Sequence, residues 1–449
     1  MTSLQAARLL KWMQERGTRT LSNWIWSVGV LLWMLSCAPS AAFAEPLPEG
    51  AVGSNVSVVG YNNLEDRPAF KMSIIQSGEH WYLYLGHFWQ SGWTILDVTD
   101  PANSKVVKFI PGPPGSFTGQ MEVSGNTMIT GLEKPLVPGI GADPNAPFSE
   151  GVLIWDISDP VNPRQVGEYK TGNLGTHRNF YAGGKYMHLS AHMSGYHGNI
   201  YVIVDISDPA HPREAGRWWV PGQAEGESRV AGRFVSHHGP AYIVGNTAFL
   251  AYGSAGMIVL DISDVAHPKQ ISQLQFSPPF DPIFGSHTVL PVPEKSIALV
   301  TSEIVIPECR GAIGYAGIVD ISDLAAPRLM SLMPEPLPPA DWPIKSFCSR
   351  GATFGPHNIN TLLHNPYVQP QGNLVYLTYW NAGLRVYDIK EPTAPREVGY
   401  FLPPNPRKRY GPVPKTLIAQ TEDVLVDRRG YIYVTDNNQG VWIVKYDGN

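Results

Sequence analysis

The chain has 449 residues and a formal net charge of −5 at pH 7, with 43% hydrophobic, 16% charged and 11% aromatic residues. It has no basic stripe, no interleaving of basic with aromatic residues and no nucleic-acid-binding motif, which argues against nucleic acid as a partner. Histidine accounts for only 13 residues, so a position at which it recurs carries weight.

The first 44 residues have the features of an export signal. Four basic residues come first: Arg8, Lys11, Arg16 and Arg19. Residues 24–35 form an apolar run that is short for a membrane span, and Ala42 and Ala44 then offer a small-residue cleavage site. We expect cleavage after Ala44 and a periplasmic or secreted mature chain, residues 45–449, without a transmembrane helix. A lipoprotein anchored at Cys37 is the alternative.

Six segments share one pattern, a short apolar strand that ends in Asp-Ile-Ser-Asp or a close variant. They are residues 93–100, 153–159, 202–208, 258–264, 317–323 and 385–391. Each continues through a proline-containing turn into a second short strand. Such repeats are typical of β-propellers, in which one repeat forms one four-stranded blade. We label the strands of a blade a to d, from the central channel outwards, and place the repeated motif in strand c.

A seventh unit completes the predicted ring. Residues 423–446 supply strands a, b and c, and residues 55–61 resemble the missing strand d. Pairing these two segments would remove two exposed sheet edges. We therefore predict an all-β, seven-bladed β-propeller over residues 45–449, closed by an N-terminal strand that completes the last blade.

The repeated segments resemble those of the LVIVD-repeat family of bacterial β-propellers, over residues 56–446. The resemblance implies the architecture and says little about chemistry, because one fold hosts many functions. The first aspartate of each motif, as in Asp156 and Asp205, is expected to accept hydrogen bonds within the turn that follows it.

Histidine recurs at one position of the repeat. Aligned on the turn between strands a and b, four consecutive units place a histidine at the start of strand a: His177, His238, His287 and His357. The other three units place Lys71, Thr118 and Glu422 there. Because strand a lines the channel, these imidazoles should converge at its mouth, where a divalent transition metal accepts three or four of them. Two alternatives stay open, namely histidines that cap the channel by bonding to carbonyl groups, and protonated histidines that bind an anion.

A four-histidine metal centre on the axis of a seven-bladed propeller resembles that of the carotenoid cleavage oxygenases, which hold ferrous iron. It is similar in plan to the selenium-binding proteins and methanethiol oxidases, in which propeller histidines are associated with copper. The resemblance implies a metal cofactor, iron before copper or zinc, with Glu422 as a loose parallel to the glutamates behind the iron ligands. The four histidines lie on consecutive blades here, so three histidines with an open position is an alternative geometry. Glu422 is the best candidate for a fifth ligand, for an outer partner of a metal-bound histidine or for a proton acceptor, and Glu122 and Glu303 are weaker candidates because their strand positions do not match that of the histidines.

The loops between strands b and c should form a roof over the histidines, since they emerge on the same face. Long loops on one face of a rigid scaffold usually carry the binding site. Their aromatic residues predict a small apolar or aromatic substrate, although packing of the loops is the alternative for each one. The predicted substrate-binding residues are Phe88, Trp89, Tyr196, Tyr252, Trp380 and Lys71, and the predicted proton-transfer residues are Glu422, His192 and His87.

Cys309 and Cys348 are the remaining thiols of the predicted mature chain. Both fall in long insertions on the predicted roof face, and an oxidising compartment would let them form a disulfide. Two separate thiols are the alternative.

These features predict an exported metal-dependent enzyme, an oxidoreductase or oxygenase. All-histidine ligation matches the redox propellers named above, and no nucleophile elbow of the Gly-x-Ser-x-Gly kind occurs. The alternative is a non-catalytic periplasmic or cell-surface propeller that binds a protein or a glycan. The sequence leaves the substrate and the oligomeric state open.

Overall fold

The computed structural model describes residues 47–135, 146–229, 235–276, 285–311, 314–361 and 363–448. The predicted export signal and Cys37 lie outside these residues and stay predictions. No helix of the described part is long and apolar enough to cross a membrane.

Seven four-stranded antiparallel sheets form the fold. Two strands lead the chain, β1 (Val52–Ser54) and β2 (Val56–Asn62). Blade one consists of β3 (Ala69–Ser77), β4 (His80–His87), β5 (Gly92–Asp97) and β6 (Lys105–Pro111). Blade two consists of β7 (Met121–Ser124), β8 (Thr127–Leu132), β9 (Gly151–Asp156) and β10 (Arg164–Tyr169).

The next three blades repeat this order. Blade three consists of β11 (Gly175–Thr176), β12 (Tyr186–His192), β13 (Ile200–Asp205) and β14 (Arg213–Trp218). Blade four consists of β15 (Ala241–Val244), β16 (Thr247–Ala251), β17 (Met257–Asp261) and β18 (Lys269–Leu274). Blade five consists of β19 (Ser286–Val292), β20 (Ile297–Ser302), β21 (Ala316–Asp320) and β22 (Arg328–Leu332).

The last two blades use the two leading strands. Blade six consists of β23 (Leu374–Thr378), β24 (Leu384–Asp388) and β25 (Arg396–Leu402), with β1 on its outer edge. Its inner edge is formed by residues 357–361, which bond to β23 without forming a regular strand. Blade seven consists of β26 (Thr421–Val426), β27 (Tyr431–Asp436) and β28 (Gln439–Tyr446), with β2 as its outer strand.

The described connections hold four short 3-10 helices, at Pro101–Asn103, Pro293–Lys295, Pro307–Cys309 and Phe347–Arg350. The predicted all-β, seven-bladed propeller is confirmed. In blade seven, β2 pairs with β28 from Val56 opposite Tyr446 to Asn62 opposite Val441, so the first and last parts of the chain share one sheet.

Neighbouring blades share their hydrophobic cores. Trp93 of blade one and Trp155 of blade two, for example, lie 5.4 Å apart between ring centroids in one cluster of buried residues. Strand c is covered on both faces by adjacent blades, and β5, β9 and β13 are each buried along their whole length except at the final aspartate. This double burial is why strand c reads as a continuous apolar run in the sequence rather than as an alternating one.

The repeated aspartates shape the turns between strands c and d. In six blades the backbone N–H two residues later donates to the aspartate carboxylate at 2.8–2.9 Å. The aspartates concerned are Asp97, Asp156, Asp205, Asp261, Asp320 and Asp388. The structural role expected of this motif is thus observed, at the face of the ring opposite the histidines.

Candidate metal centre

Imidazoles from four consecutive blades form one continuous row. The ring centroids are 4.9 Å apart for His177 and His238, 4.5 Å for His238 and His287, and 4.6 Å for His287 and His357. His177, His238 and His357 each donate their backbone N–H to a carbonyl near the end of strand b of their own blade. This shared register places the side chains at one height of the channel, as the alignment of the repeats predicts.

The structure places at the site a carboxylate that the sequence offered only as a weaker candidate than Glu422. The Glu303 oxygens lie 3.4 Å from Nε2 of His238 and 3.6 Å from Nε2 of His357. One ligand atom each from His238, His287 and Glu303 lies within 4.8 Å of the others, close enough for small side-chain movements to bring all three onto one ion. The candidate ligand group is therefore two histidines and a glutamate, flanked by His177 and His357, rather than histidines alone.

Hydrogen bonds at Nδ1 leave the Nε2 lone pairs of the flanking histidines available. Nδ1 of His177 lies 2.7 Å from a carboxylate oxygen of Glu133, and Nδ1 of His357 lies 2.9 Å from the backbone carbonyl of Glu422. Because each partner accepts a hydrogen bond, a neutral imidazole at either position keeps its proton on Nδ1 and leaves Nε2 open to a metal. Such outer partners are usual for metal-binding histidines.

A buried arginine connects the blades beneath the row. Nη1 of Arg178 donates to the carbonyl groups of Gly239 at 2.7 Å and of His287 at 2.5 Å, and Nη2 donates to Asn358 at 3.2 Å. Both hydrogens of Nη1 are donated to these two carbonyl groups. The distance of 3.1 Å between Nη1 and Nδ1 of His287 is therefore a contact and not a hydrogen bond. Thr288 Oγ1 lies 3.0 Å from Nδ1 of His287 and can accept a hydrogen bond from it.

The surroundings keep three of the four imidazoles neutral. Burial first, and then the Arg178 guanidinium, hold the pKa of His287 and His357 well below the ordinary value. Burial and neighbouring His177 lower the pKa of His238 in the same way. Burial also lowers the pKa of His177, but the Glu133 carboxylate outweighs it and the pKa is raised overall. Neutral imidazoles suit a metal and speak against an anion held by protonated histidines.

Glu422 lies behind His357, where its surroundings favour the protonated form of the side chain. Its side chain is fully buried, and Oε1 is 3.4 Å from Nδ1 of His357. Burial, followed by repulsion from Glu303, raises the pKa of Glu422 well above its usual range. Glu303, not Glu422, is thus the carboxylate that faces the Nε2 atoms.

A cavity of about 580 Å³ opens above the histidine row. His177, His287, His357, Glu303 and Glu422 all contribute to its lining. Its apolar wall includes the aromatic residues Phe70, Phe88, Phe117 and Trp380. The Trp380 ring stacks on His357 with centroids 4.1 Å apart. Phe88 and Trp380 therefore lie where the sequence analysis placed substrate-binding residues.

The other predicted substrate-binding residues do not line this cavity. Trp89 is buried and donates its Nε1–H to the Asn437 carbonyl at 2.6 Å, and Tyr252 is buried and donates to Gln223. Tyr196 packs against Trp219, with ring centroids 5.1 Å apart. Lys71 forms an ion pair with Asp423 inside the channel. These four side chains have packing or ion-pair contacts away from the cavity, and their roles in substrate binding stay predictions.

The two predicted proton-transfer histidines also lie away from the cavity lining. His192 is the last residue of β12 and is half buried. His87 is completely buried in blade one, with Nδ1 3.1 Å from the Pro68 carbonyl and Nε2 2.7 Å from Thr94 Oγ1. His87 therefore has a structural role.

The burial of His87 predicts a measurable acid sensitivity. Burial lowers the pKa of His87 from 6.5 to about 4. Below pH 6.5 the imidazole is therefore protonated in the unfolded chain, whereas in the folded chain it stays neutral down to about pH 4. The contribution of His87 to the free energy of unfolding has its full value above pH 6.5. It decreases by about 2 kcal/mol between pH 7 and pH 5. Urea unfolding of the wild type and His87→Gln at both pH values checks this. The loss on acidification should be about 2 kcal/mol smaller in His87→Gln, and an equal loss in both proteins contradicts the assignment.

A disulfide joins two segments of the roof. Cys309 and Cys348 are bonded, which settles the choice between paired and separate thiols. The Glu308 N–H donates to the Ala352 carbonyl at 2.8 Å next to this bond, and both residues line the cavity. The bond thus holds the loop of blade five against the connection to blade six.

Fold and site together define the class: a seven-bladed β-propeller with a buried histidine–glutamate group at one mouth of its channel. LVIVD repeats are found in five of its blades. The sequence model of the LVIVD repeat matches residues 146–171, 195–219, 242–274, 314–333 and 368–402, which contain the strand c motifs of blades two to six. No curated protein sequence matches the chain.

Solved structures are similar to this chain in fold. The β-propeller domain of Cps50 (Swd1) from Myceliophteria thermophila shares 11% identity at a TM-score of 0.50, over 84% of this chain and 99% of that one. A protein from Lactobacillus plantarum shares 12% identity at a TM-score of 0.49, over 85% and 97%. A functionally unknown protein from Desulfotomaculum acetoxidans shares 12% identity at a TM-score of 0.46, over 74% and 84%. At 11% identity, the similarity to the Cps50 (Swd1) domain concerns the propeller fold alone.

Proposed function

We propose that this protein is an exported, metal-dependent oxidoreductase that acts on a small apolar or aromatic substrate in the cavity above the histidine row. The observation that carries the proposal is the convergence of His238, His287 and Glu303 beside the flanking histidines. Bringing buried polar groups together in this way costs free energy, and a bound metal ion would offset that cost.

The donor set fits a first-row transition metal. Two imidazoles and one carboxylate with open positions suit non-haem iron(II), and zinc accepts the same ligands. His238, His287 and Glu303 would hold the ion, with His177 and His357 beside them. When bound, such an ion supplies Lewis-acid or redox chemistry at an open coordination position. The carboxylate keeps iron as our first choice, because this donor set is characteristic of non-haem iron oxygenases.

The other roles in the proposed function fall to side chains around the cavity. Phe88 and Trp380 bind an apolar substrate and exclude water from the space above the histidines. Trp380 also fixes the orientation of the His357 ring by stacking on it. Glu422 lies behind His357, with Oε1 3.4 Å from Nδ1, and its role in proton transfer stays a prediction from the sequence.

Export is proposed on two features of the chain. Residues 1–44 combine basic residues, an apolar run and a small-residue cleavage site. The disulfide between Cys309 and Cys348 supports an oxidising compartment, where such bonds persist.

Metal analysis of the purified protein tests the proposal. We expect near-stoichiometric iron, copper or zinc in the wild type and its loss in a His238→Ala/His287→Ala double variant. His211→Ala/His267→Ala is the matched control, because these two histidines are exposed and pair with Asp208 and Asp264 in turns on the opposite face.

Elemental analysis, an absorption spectrum and a melting curve are recorded for all three proteins. A metal-free wild type whose folding is unaffected by the site variant would favour the non-catalytic propeller instead. Equal metal content in the site variant and the control would also contradict the proposal.

A further inference from the structure

The cavity that contains the proposed metal group also carries unpaired positive charge at its rim. Lys134 follows β8 of blade two, and Lys415 lies in the connection that leads to blade seven. Both line the cavity and are exposed to solvent. Neither ammonium group has an ion pair or a hydrogen bond among the residues that the structure describes, and that of Lys134 lies over the Phe148 ring, 5.4 Å from its centroid.

The backbone of each lysine is held in place. The Lys134 N–H donates to the Leu174 carbonyl at 2.8 Å, and Glu133 next to it bridges to Gly175 of blade three. The Arg409 guanidinium donates to the carbonyl groups of Pro414 at 2.5 Å and of Lys415 at 2.9 Å. Hydrogen bonds therefore hold the backbone of both lysines at the rim.

An aromatic wall lies between the two lysines. In the closed ring, blade one stands between blade seven and blade two, and it contributes Phe70 and Phe88 to the cavity. The Phe70 ring centroid is 5.3 Å from that of Phe88 and 5.2 Å from that of Phe117. This wall faces the blades that carry His287, His357 and Trp380, so a ring held against it lies across the cavity from the metal group.

The acidic residues of the cavity are already engaged. Glu133 bonds to His177 at 2.7 Å, and Glu303 contacts His238 at 3.4 Å. Glu308 pairs with Arg310 at 3.5 Å, and Glu422 is buried behind His357. The four carboxyl groups leave the two lysines without a protein counter-ion, so the cavity has an aromatic wall with unpaired cations on both sides of it.

We propose that the ligand of this cavity is an aromatic acid, whose ring packs on Phe88 and whose carboxylate lies between Lys134 and Lys415. The inference deepens the proposed function, on which it rests for the identity of the cavity as the substrate site. Cations at a mouth with apolar walls attract an anionic ligand and orient it with its uncharged part inwards. The part of the ligand farthest from the carboxylate then faces the histidine row.

Binding of a matched acid and amide tests the inference. Dissociation constants of 2-naphthoate and 2-naphthamide are measured by isothermal titration calorimetry on metal-free and zinc-loaded protein. We expect the acid to bind more tightly in both forms. Each of Lys134→Met and Lys415→Met should weaken the acid about fivefold and leave the amide unchanged. The matched control is Lys269→Met, an exposed lysine at the start of β18 on the opposite face.

Several results would overturn the inference. Equal affinity for acid and amide, no binding of either probe, or the same loss of acid binding in Lys269→Met would each do so. A preference for the acid that appears only with zinc and survives both lysine variants would place the carboxylate on the metal instead. Because the metal-free arm does not depend on metal binding, failure of the proposed metal centre and failure of this inference are separable.

Discussion

Replacing Glu303 by glutamine is expected to lower the affinity of the protein for iron(II) or zinc by at least about a hundredfold, since loss of an outer partner alone costs 10- to 100-fold. The substitution keeps the size of the side chain and removes the negative charge that lies 3.4 Å from Nε2 of His238. Competition with a chelator of known affinity measures the change. A Glu303→Gln protein that binds the metal as tightly as the wild type would remove Glu303 from the ligand group.

Glu422→Gln is the matched control for that experiment. Burial raises the pKa of Glu422 well above its usual range and so favours the uncharged form, which glutamine resembles. It contacts Nδ1 of His357 rather than an Nε2 atom. We therefore expect Glu422→Gln to weaken metal binding by no more than about tenfold, the lower end of the effect of an outer partner. The opposite ranking of the two variants would restore Glu422, the residue that the sequence favoured, to the metal site.

The contrast between Glu303 and Glu422 shows how much of the site could be predicted from the sequence. The repeat fixes which residues begin strand a, so the alignment placed His177, His238, His287 and His357 together. Glu303 follows strand b, and it reaches the same place because its backbone pairs with Gly285 across the hairpin. Extending the alignment across each hairpin would have identified Glu303, and Glu133 one residue after β8 by the same logic.

The roof residues were less predictable, because a long loop does not fix the direction of its side chains by periodicity. Tyr252 directly follows β16 and is buried under the connection between blades three and four, where it bonds to Gln223. Trp380 comes two residues after β23 and has a left-handed backbone, with φ of 41°. That turn accompanies stacking of its ring on His357 beside the cavity. Aromatic content predicted an apolar cavity, but it did not identify which rings line it.

The ion pair of Lys71 was not predicted, because its partner is remote in the sequence. Asp423 follows it by 352 residues, and the two meet only because blades seven and one are adjacent in the closed ring. The Lys71 ammonium lies 2.9 Å from an Asp423 oxygen, with side chains 5% and 1% exposed. Asp423 also accepts the Met72 N–H at 3.1 Å. A repeat alignment finds equivalent positions but does not show which of them neutralise each other.

This buried pair leads to the second large effect. Asp423→Ala should lower the free energy of unfolding by about 3–5 kcal/mol, because it leaves the Lys71 ammonium buried without a counter-charge. Lys71→Met/Asp423→Asn should recover most of the loss, since it removes both charges and keeps an acceptor for the Met72 N–H. Urea unfolding at pH 7 measures all three proteins.

The exposed pair of Lys408 and Asp66, 2.7 Å apart, provides the control. Lys408→Ala should leave the midpoint of unfolding nearly unchanged, because water solvates the aspartate that remains. If Asp423→Ala were no more harmful than Lys408→Ala, or if the double variant were as unstable as Asp423→Ala, the buried charge would not be the cause. The double variant also separates stability from function: it removes the channel ion pair and leaves His238, His287 and Glu303 in place, so metal binding should persist.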